Sequence, residues 1–531
     1  MGWWWIALFG AMVGVAWKLI LLGWGAFPLN ADEAVVGLMA RHILAGERPL
    51  FFYGQAYMGS FDAALVALLF QMTGPRVEAI RLVQTALYAI TSFTLAGLAW
   101  KMTRSNLAVL AASLLLAFPA VNTTLYTTVS LGGYGEALLI GALQYHLALD
   151  YTQQGGRWRF WASSFLTGFG LWVFGLSLVF SIPALVAILL TYGRRDGWQG
   201  WWRTLIPASA AGLLGALPWL IAISREGLPV LLQELLGGAI AASPSTPFLQ
   251  LLLSRFLNVV LFGPTVLLGI RPPWSVEPLA PFWIPGTILF WFLTALLLIR
   301  RRKKEAIFPG SGLLLGTALL TFAGLLFTPF GGDPSGRYFL PLMPVLASAA
   351  ALALCGAEIS RQQVLMWALF VLTLGGNLAG TVQAARNESL GITTQFDAVT
   401  WIDHRYDEEL IAFLQHEGLA SGYTNYWVAY PLAFQSEETL RYVPRLPYHL
   451  DFRYTSRDDR YPPYRDVAAA SERIAYITTN HPELDELLEA RFLEFRVAYD
   501  VAVIGDYHVF YNLTPALPPE DLNLPWLGGG S

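Results

Sequence analysis

Asn30-Ala31-Asp32-Glu33 puts two adjacent carboxylates just past an apolar run that ends near residue 25. Two readings of the pair coexist. Asn30 followed three residues later by Glu33 is a capping-box pattern, in which Glu33 reaches back to the cap and Asp32 sits well in the helix dipole. A carboxylate at the mouth of a helix is also a general base when a hydroxyl lies within hydrogen-bond reach.

Other chemistry-bearing residues are sparse, so each stands out. Arg337 and Tyr338 follow Asp333-Pro334-Ser335-Gly336 in a short polar stretch. A guanidinium matches the oxygens of a phosphate, although an arginine at a membrane interface also reaches lipid headgroups. Arg255 and Arg271 are weaker candidates of the same kind. Glu136 lies inside Gly132-Gly-Tyr-Gly-Glu-Ala-Leu-Leu-Ile-Gly141, at the end of an apolar run. A carboxylate there is costly unless it faces a wet cavity or a partner such as an arginine. Gln55 and Tyr57, in the aromatic stretch Glu47–Ser60, suit contact with a sugar or phosphate, or plain interfacial packing. His42 and His146 are lone histidines on apolar stripes and read as structural. A divalent ion on Asp32, Glu33 and His42 is conceivable by donor type. On one helix, however, Asp32 and His42 stand nearly three turns apart, so no obligatory metal or other cofactor is expected.

These residues need a scaffold, and composition defines it. The chain has 531 residues, 55% hydrophobic and 13% charged, against about 25% charged in soluble proteins. Its mean hydropathy is +0.50. Apolar runs near bilayer-spanning length recur at roughly 3–25, 80–100, 106–121, 131–149, 160–174, 176–192, 204–222, 282–299, 311–328, 338–356 and 364–384. The reading is a polytopic α-helical membrane protein of about 11 transmembrane helices. Lys18 is the one basic residue deep in the first run, and snorkelling would accommodate it. Residues 160–192 divide into two passes, because a single helix would be about 48 Å long against a hydrocarbon core of about 30 Å.

Lys and Arg favour cytoplasmic flanks. With a cytoplasmic N-terminus, Lys101 and Arg104, Arg157 and Arg159, Arg194, Arg195 and Arg203, Arg300–Lys304 and Arg361 all fall on one side. The expected location is the cytoplasmic (inner) membrane, multi-pass, with the C-terminal domain extracytoplasmic. The single cysteine, Cys355, excludes an intrachain disulfide and a thiolate metal cluster. No basic face for nucleic acid is apparent.

Three outer segments are then large. The first, 26–79, carries an apolar stripe at Val35, Leu38, Met39 and His42 and a second apolar stretch from Phe61 to Met72, both expected as interfacial helices. The second, 223–281, is expected to hold interfacial or re-entrant helices around a turn at Ser243–Pro247. The third, from 386 to 520, reads as a small extracytoplasmic α/β domain. It has a helix ended by Gly418, a buried strand in Arg473–Thr479, an acidic-start helix after His481 and a hairpin around Gly505-Asp506. Residues 521–531 form a tail. The domains are thus 1–385 and 386–520, and no glycine-rich phosphate loop marks a nucleotide site.

An acidic pair right after the first span, an outer loop with interfacial helices and an outward C-terminal domain resemble the GT-C superfamily of glycosyltransferases. The segments Asn30–Ala63, Gly132–Gly141 and Gly336–Leu346 resemble bacterial members of its family-39-like branch, related to protein O-mannosyltransferases and the lipid A aminoarabinose transferase. The resemblance covers roughly residues 1–385. It implies transfer of a sugar from a polyprenyl monophosphate donor to a lipid, glycan or protein acceptor, outside the cytoplasmic membrane and with inversion. It also implies that Asp32, with Glu33 beside it, is the base, that Arg337 and Tyr338 meet the donor phosphate, and that Glu136, Gln55 and Tyr57 contact substrate. The alternatives are a transporter or lipid flippase, and a transferase using a diphosphate-linked donor.

Overall fold

The computed structural model describes residues 2–195, 201–237, 247–304, 310–356, 360–387, 391–395 and 398–527, with the side chains of 301–304 outside that description. Ser243 to Thr246 of the expected turn, and the final Gly528–Ser531, also lie outside it. The chain divides into two compact units. One comprises residues 1–26, 55–62 and 81–386; the other comprises 27–54, 63–80 and 387–531.

The first unit is helical. Among the described residues, six helices are long and apolar enough to cross a membrane, or seven if one bent pair counts as a single span. The chain is therefore a multi-pass membrane protein. Five of the six coincide with expected spans: Trp3–Gly23, Val77–Thr103, Gly175–Arg195, Pro281–Arg300 and Arg361–Ala385. The sixth, Phe248–Leu267, falls in the second large outer segment, where interfacial helices were expected. The bent pair, Trp202–Gly215 and Leu217–Glu226, turns by 65°. Expected spans at 106–121, 311–328 and 338–356 form the shorter apolar helices Asn106–Ala117, Ser311–Phe327 and Leu342–Leu354. Length and composition thus do not return the expected eleven.

The division of residues 160–192 is present and has a backbone cause. Phe174 is extended (φ −166°, ψ 123°) between Arg157–Val173 and the following helical run. Helices in this unit touch backbone to backbone. A Cβ on Gly168 would lie 1.9 Å from the carbonyl oxygen of Gly212, so only glycine fits. Lys18 does not snorkel. Its ammonium points inward, bonding to Thr127 Oγ1 (2.8 Å), Thr128 Oγ1 (2.6 Å) and the carbonyls of Thr124 and Thr127, with the Tyr88 ring 4.4 Å away.

The second unit contains a five-stranded sheet. Two short strands precede it in the chain, β1 (Phe51–Phe52) and β2 (Gln55–Gly59), the latter in the first unit. The sheet is built from β3 (Ser421–Thr424), β4 (Arg441–Pro444), β5 (Ile474–Thr479), β6 (Ala498–Ile504) and β7 (Tyr507–Thr514) in the order β4-β3-β5-β7-β6. β4, β3 and β5 are parallel, and β5, β7 and β6 are antiparallel, with the hairpin turning at Gly505-Asp506. Every residue of β5 is buried, which is why its sequence is apolar without alternation.

Two helices from early in the chain belong to this unit. In Ala31–Leu44 the stripe Val35, Leu38, Met39 and His42 is buried, and it faces protein. The helix lies against Tyr426–Gln435 so closely that a Cβ on Gly37 would sit 2.4 Å from the Phe434 ring. Phe70, on helix Phe61–Thr73, stacks on the same Phe434 at 6.3 Å.

Candidate active site

The acidic pair begins the helix Ala31–Leu44. Asn30 is extended and its side-chain oxygen accepts the Glu33 N–H at 2.9 Å, so the cap is formed. The two acids then part company. Glu33 is 0% exposed, whereas Asp32 is only partly buried. Asp32 Oδ1 accepts a hydrogen bond from the Tyr426 hydroxyl. Burial and the Asp32 charge hold the Tyr426 phenol well above its ordinary pKa, so it stays a donor. His42 is occupied elsewhere, with Nδ1 2.9 Å from the Tyr53 hydroxyl and Nε2 3.0 Å from Glu438 Oε1. Among the described residues, no group of three His, Cys, Asp or Glu side chains is arranged to hold a metal ion.

Within the first unit, Arg337 sits in a loop that folds on itself. Asp333 Oδ1 accepts the Ser335 N–H at 2.8 Å and Oδ2 accepts Arg337 Nε at 2.6 Å. Asn258 Nδ2 braces the loop from outside, donating to the carbonyls of Gly331 and Asp333 at 2.8 and 2.7 Å. Arg271 braces it too, but spends itself doing so. Nε bonds Thr265 Oγ1, and Nη1 and Nη2 bond the carbonyls of Pro272, Ser275, Phe262 and Pro334. Arg271 therefore has no donor left for a phosphate. Arg255 is buried. Arg337 by contrast gives only Nε to Asp333 among the described residues, leaving its two terminal nitrogens.

The guanidinium of Arg337 lies 5.0 Å from the centroid of the Tyr338 ring. That ring packs on Phe330 at 4.7 Å, and Tyr57 stands between Phe330 (5.8 Å) and Phe174 (6.0 Å). Tyr57, Tyr338, Phe174, Phe330, Thr321 and Leu325 help to line an apolar cavity of about 120 Å³. The Tyr338 hydroxyl and Thr321 Oγ1 are buried without a hydrogen-bond partner among the described residues. A polar atom left so in an apolar wall costs about 1–3 kcal/mol unless a ligand or water meets it. The structure thus brings Tyr57, Arg337 and Tyr338 into one neighbourhood. Gln55 heads β2 and does not line this cavity.

Glu136, 2% exposed, is in the first turn of the helix Tyr134–Gln154. Both its carboxyl oxygens are buried without a hydrogen-bond partner among the described residues, and the ionisable group beside it is not an arginine but a second carboxyl, Asp62. Asp62 in turn accepts from Gln84 Nε2 at 2.9 Å and from the Ser130 hydroxyl. Burial raises the Asp62 carboxyl above the usual range. Sequence reasoning passed over Asp62, in the first turn of the helix Phe61–Thr73, and Tyr426, one of 22 tyrosines.

No family model and no curated protein sequence matches the chain. Its backbone is similar to that of ArnT from Cupriavidus metallidurans bound to undecaprenyl phosphate. The TM-score is 0.59 at 14% identity, covering 96% of this chain and 99% of that one. The apo state of the same protein gives 0.57 at 14% identity over 96% and 98%. ArnT is a lipid A aminoarabinose transferase of the GT-C type. At this identity the likeness is one of fold, and the fold of the chain is similar to that of ArnT.

Proposed function

We propose that the protein is a glycosyltransferase that moves a sugar from a polyprenyl monophosphate to an acceptor hydroxyl at the outer face of the cytoplasmic membrane. The observation that carries this reading is Arg337. A guanidinium with two unspent nitrogens lies on the face of a tyrosine that lines an apolar, aromatic cavity. Such a pairing suits a ligand that is anionic at one end and hydrocarbon at the other. ArnT, of like fold, binds undecaprenyl phosphate. The saturation of Arg271 by carbonyls favours one phosphate over two, since a diphosphate would ask for a second free cation.

In this reading the acceptor oxygen attacks the anomeric carbon while the carbon–oxygen bond to phosphate breaks, its electron pair passing to the phosphate. Arg337 meets the charge that grows on that oxygen. Asp32 takes the acceptor proton. One displacement inverts the anomeric centre. The acceptor is a lipid, glycan or protein hydroxyl, and neighbouring lipid surrounds the spans.

The test is release of undecaprenyl phosphate by the full chain in vesicles supplied with undecaprenyl-phosphate glucose, mannose or aminoarabinose and an envelope lipid extract as acceptor. Arg337→Ala should lower turnover about 10²–10³-fold, with Arg337→Lys intermediate. Full turnover in Asp32→Asn would sink the base assignment, and no release from any of the three donors would sink the donor class.

A further inference from the structure

Tyr426 is 3% exposed and firmly rooted. The preceding Asn425 accepts the Trp427 N–H at 2.9 Å through its side-chain oxygen and donates its amide to Thr479 Oγ1 on β5 at 3.0 Å. The phenol that reaches Asp32 is therefore fixed by the sheet. Tyr430, one turn on, lies 5.4 Å from the Tyr426 ring and ties down the segment that follows the 3-10 turn Ser456–Asp458. Its hydroxyl accepts the Arg460 N–H at 2.5 Å and donates to the Asp458 carbonyl at 3.1 Å. Arg460 places its guanidinium 5.3 Å from the Tyr426 ring.

We propose that the C-terminal domain completes the acid–base centre: Tyr426 is a positioning residue that holds one oxygen of Asp32, leaving the other for the acceptor. The proposal rests on the reading of Asp32 as the base. A fixed donor on Oδ1 restrains the carboxylate.

Two readouts on the full-length protein in nanodiscs test this. The first needs no substrate: infrared difference spectra between acid and alkaline buffers. Tyr426→Phe should displace the carboxylate stretch assigned by its loss in Asp32→Asn, because that carboxylate loses a hydrogen bond. If the stretch does not move, the proposal falls whatever the protein catalyses. The second is turnover with the three undecaprenyl-phosphate sugars. Tyr426→Phe should lower kcat about tenfold with the KM for the donor little changed. An unchanged kcat, or a rise in KM alone, would overturn the proposal. Full activity in Asp32→Asn with the spectral change intact would overturn the base reading instead.

Discussion

Arg337 is held by one carboxylate, and that carboxylate does two tasks. Asp333 shapes its own loop through the Ser335 N–H and orients the guanidinium through Nε. Removing the charge while keeping the shape, as in Asp333→Asn, should loosen the guanidinium and raise the KM for the lipid donor roughly five- to fiftyfold, with a smaller change in kcat. Initial rates across a donor series check this. A second residue-scale prediction concerns stability. Asp458 is raised when folded, to about 7 from the ordinary 3.8. The folded state thus keeps a proton that the unfolded chain gives up, and the associated stability is lost as pH climbs through about 7. Asp458→Asn should leave the melting temperature unchanged near pH 4 and raise it near pH 9, where it removes a penalty on the order of 4 kcal/mol. Thermal unfolding of the full chain at the two pH values reads it. At this scale the sequence pointed to Asp32 and Arg337 through the scarcity of charge, and to Tyr57 and Tyr338 through their place in the expected outer loops. It was silent on Tyr426, whose contact with Asp32 spans 394 residues of chain and follows no local pattern.

Elements were legible where one physical rule governs them. Apolar length marks Trp3–Gly23 and Arg361–Ala385, and full burial marks β5. The break at Phe174 followed from the mismatch between one long helix and a bilayer. Other boundaries depend on packing. The run at 106–121 shortens to a 12-residue helix because the chain leaves helical geometry at Phe118, one residue before Pro119. Phe248–Leu267, expected as interfacial or re-entrant from its amphipathic or apolar character, reaches 20 residues and is long and apolar enough to cross a membrane. The glycines of the Arg157–Val173 and Trp202–Gly215 pair set a sharper test. Gly168→Val would drive a side chain into the Gly212 carbonyl and should destabilise the protein by at least about 3 kcal/mol. Gly324→Ala, where no atom lies within 4 Å, should change little. Fluorescence-detected melting of the two variants compares them directly.

At the scale of the molecule, the sheet-bearing unit is not the C-terminal segment alone. It also takes residues 27–54 and 63–80 from the start of the chain. Gly37 touches Phe434, and His42 bonds Glu438, so helix Ala31–Leu44 is part of its core. A fragment of residues 387–527 should therefore expose apolar surface and bind a hydrophobic dye, and addition of a 27–80 peptide should reduce that binding. Dye titration measures it. The same reasoning applies in time to Lys18. Its acceptors lie 106 to 110 residues later in the chain. During synthesis the first helix must enter the bilayer while its ammonium has nothing to bond, at a cost of about 2.5–3.5 kcal/mol at mid-membrane. The debt is cleared only when Thr124, Thr127 and Thr128 arrive. Lys18 thus acts as a timer of assembly, leaving the first helix weakly committed to the lipid until the segment that completes it has been made.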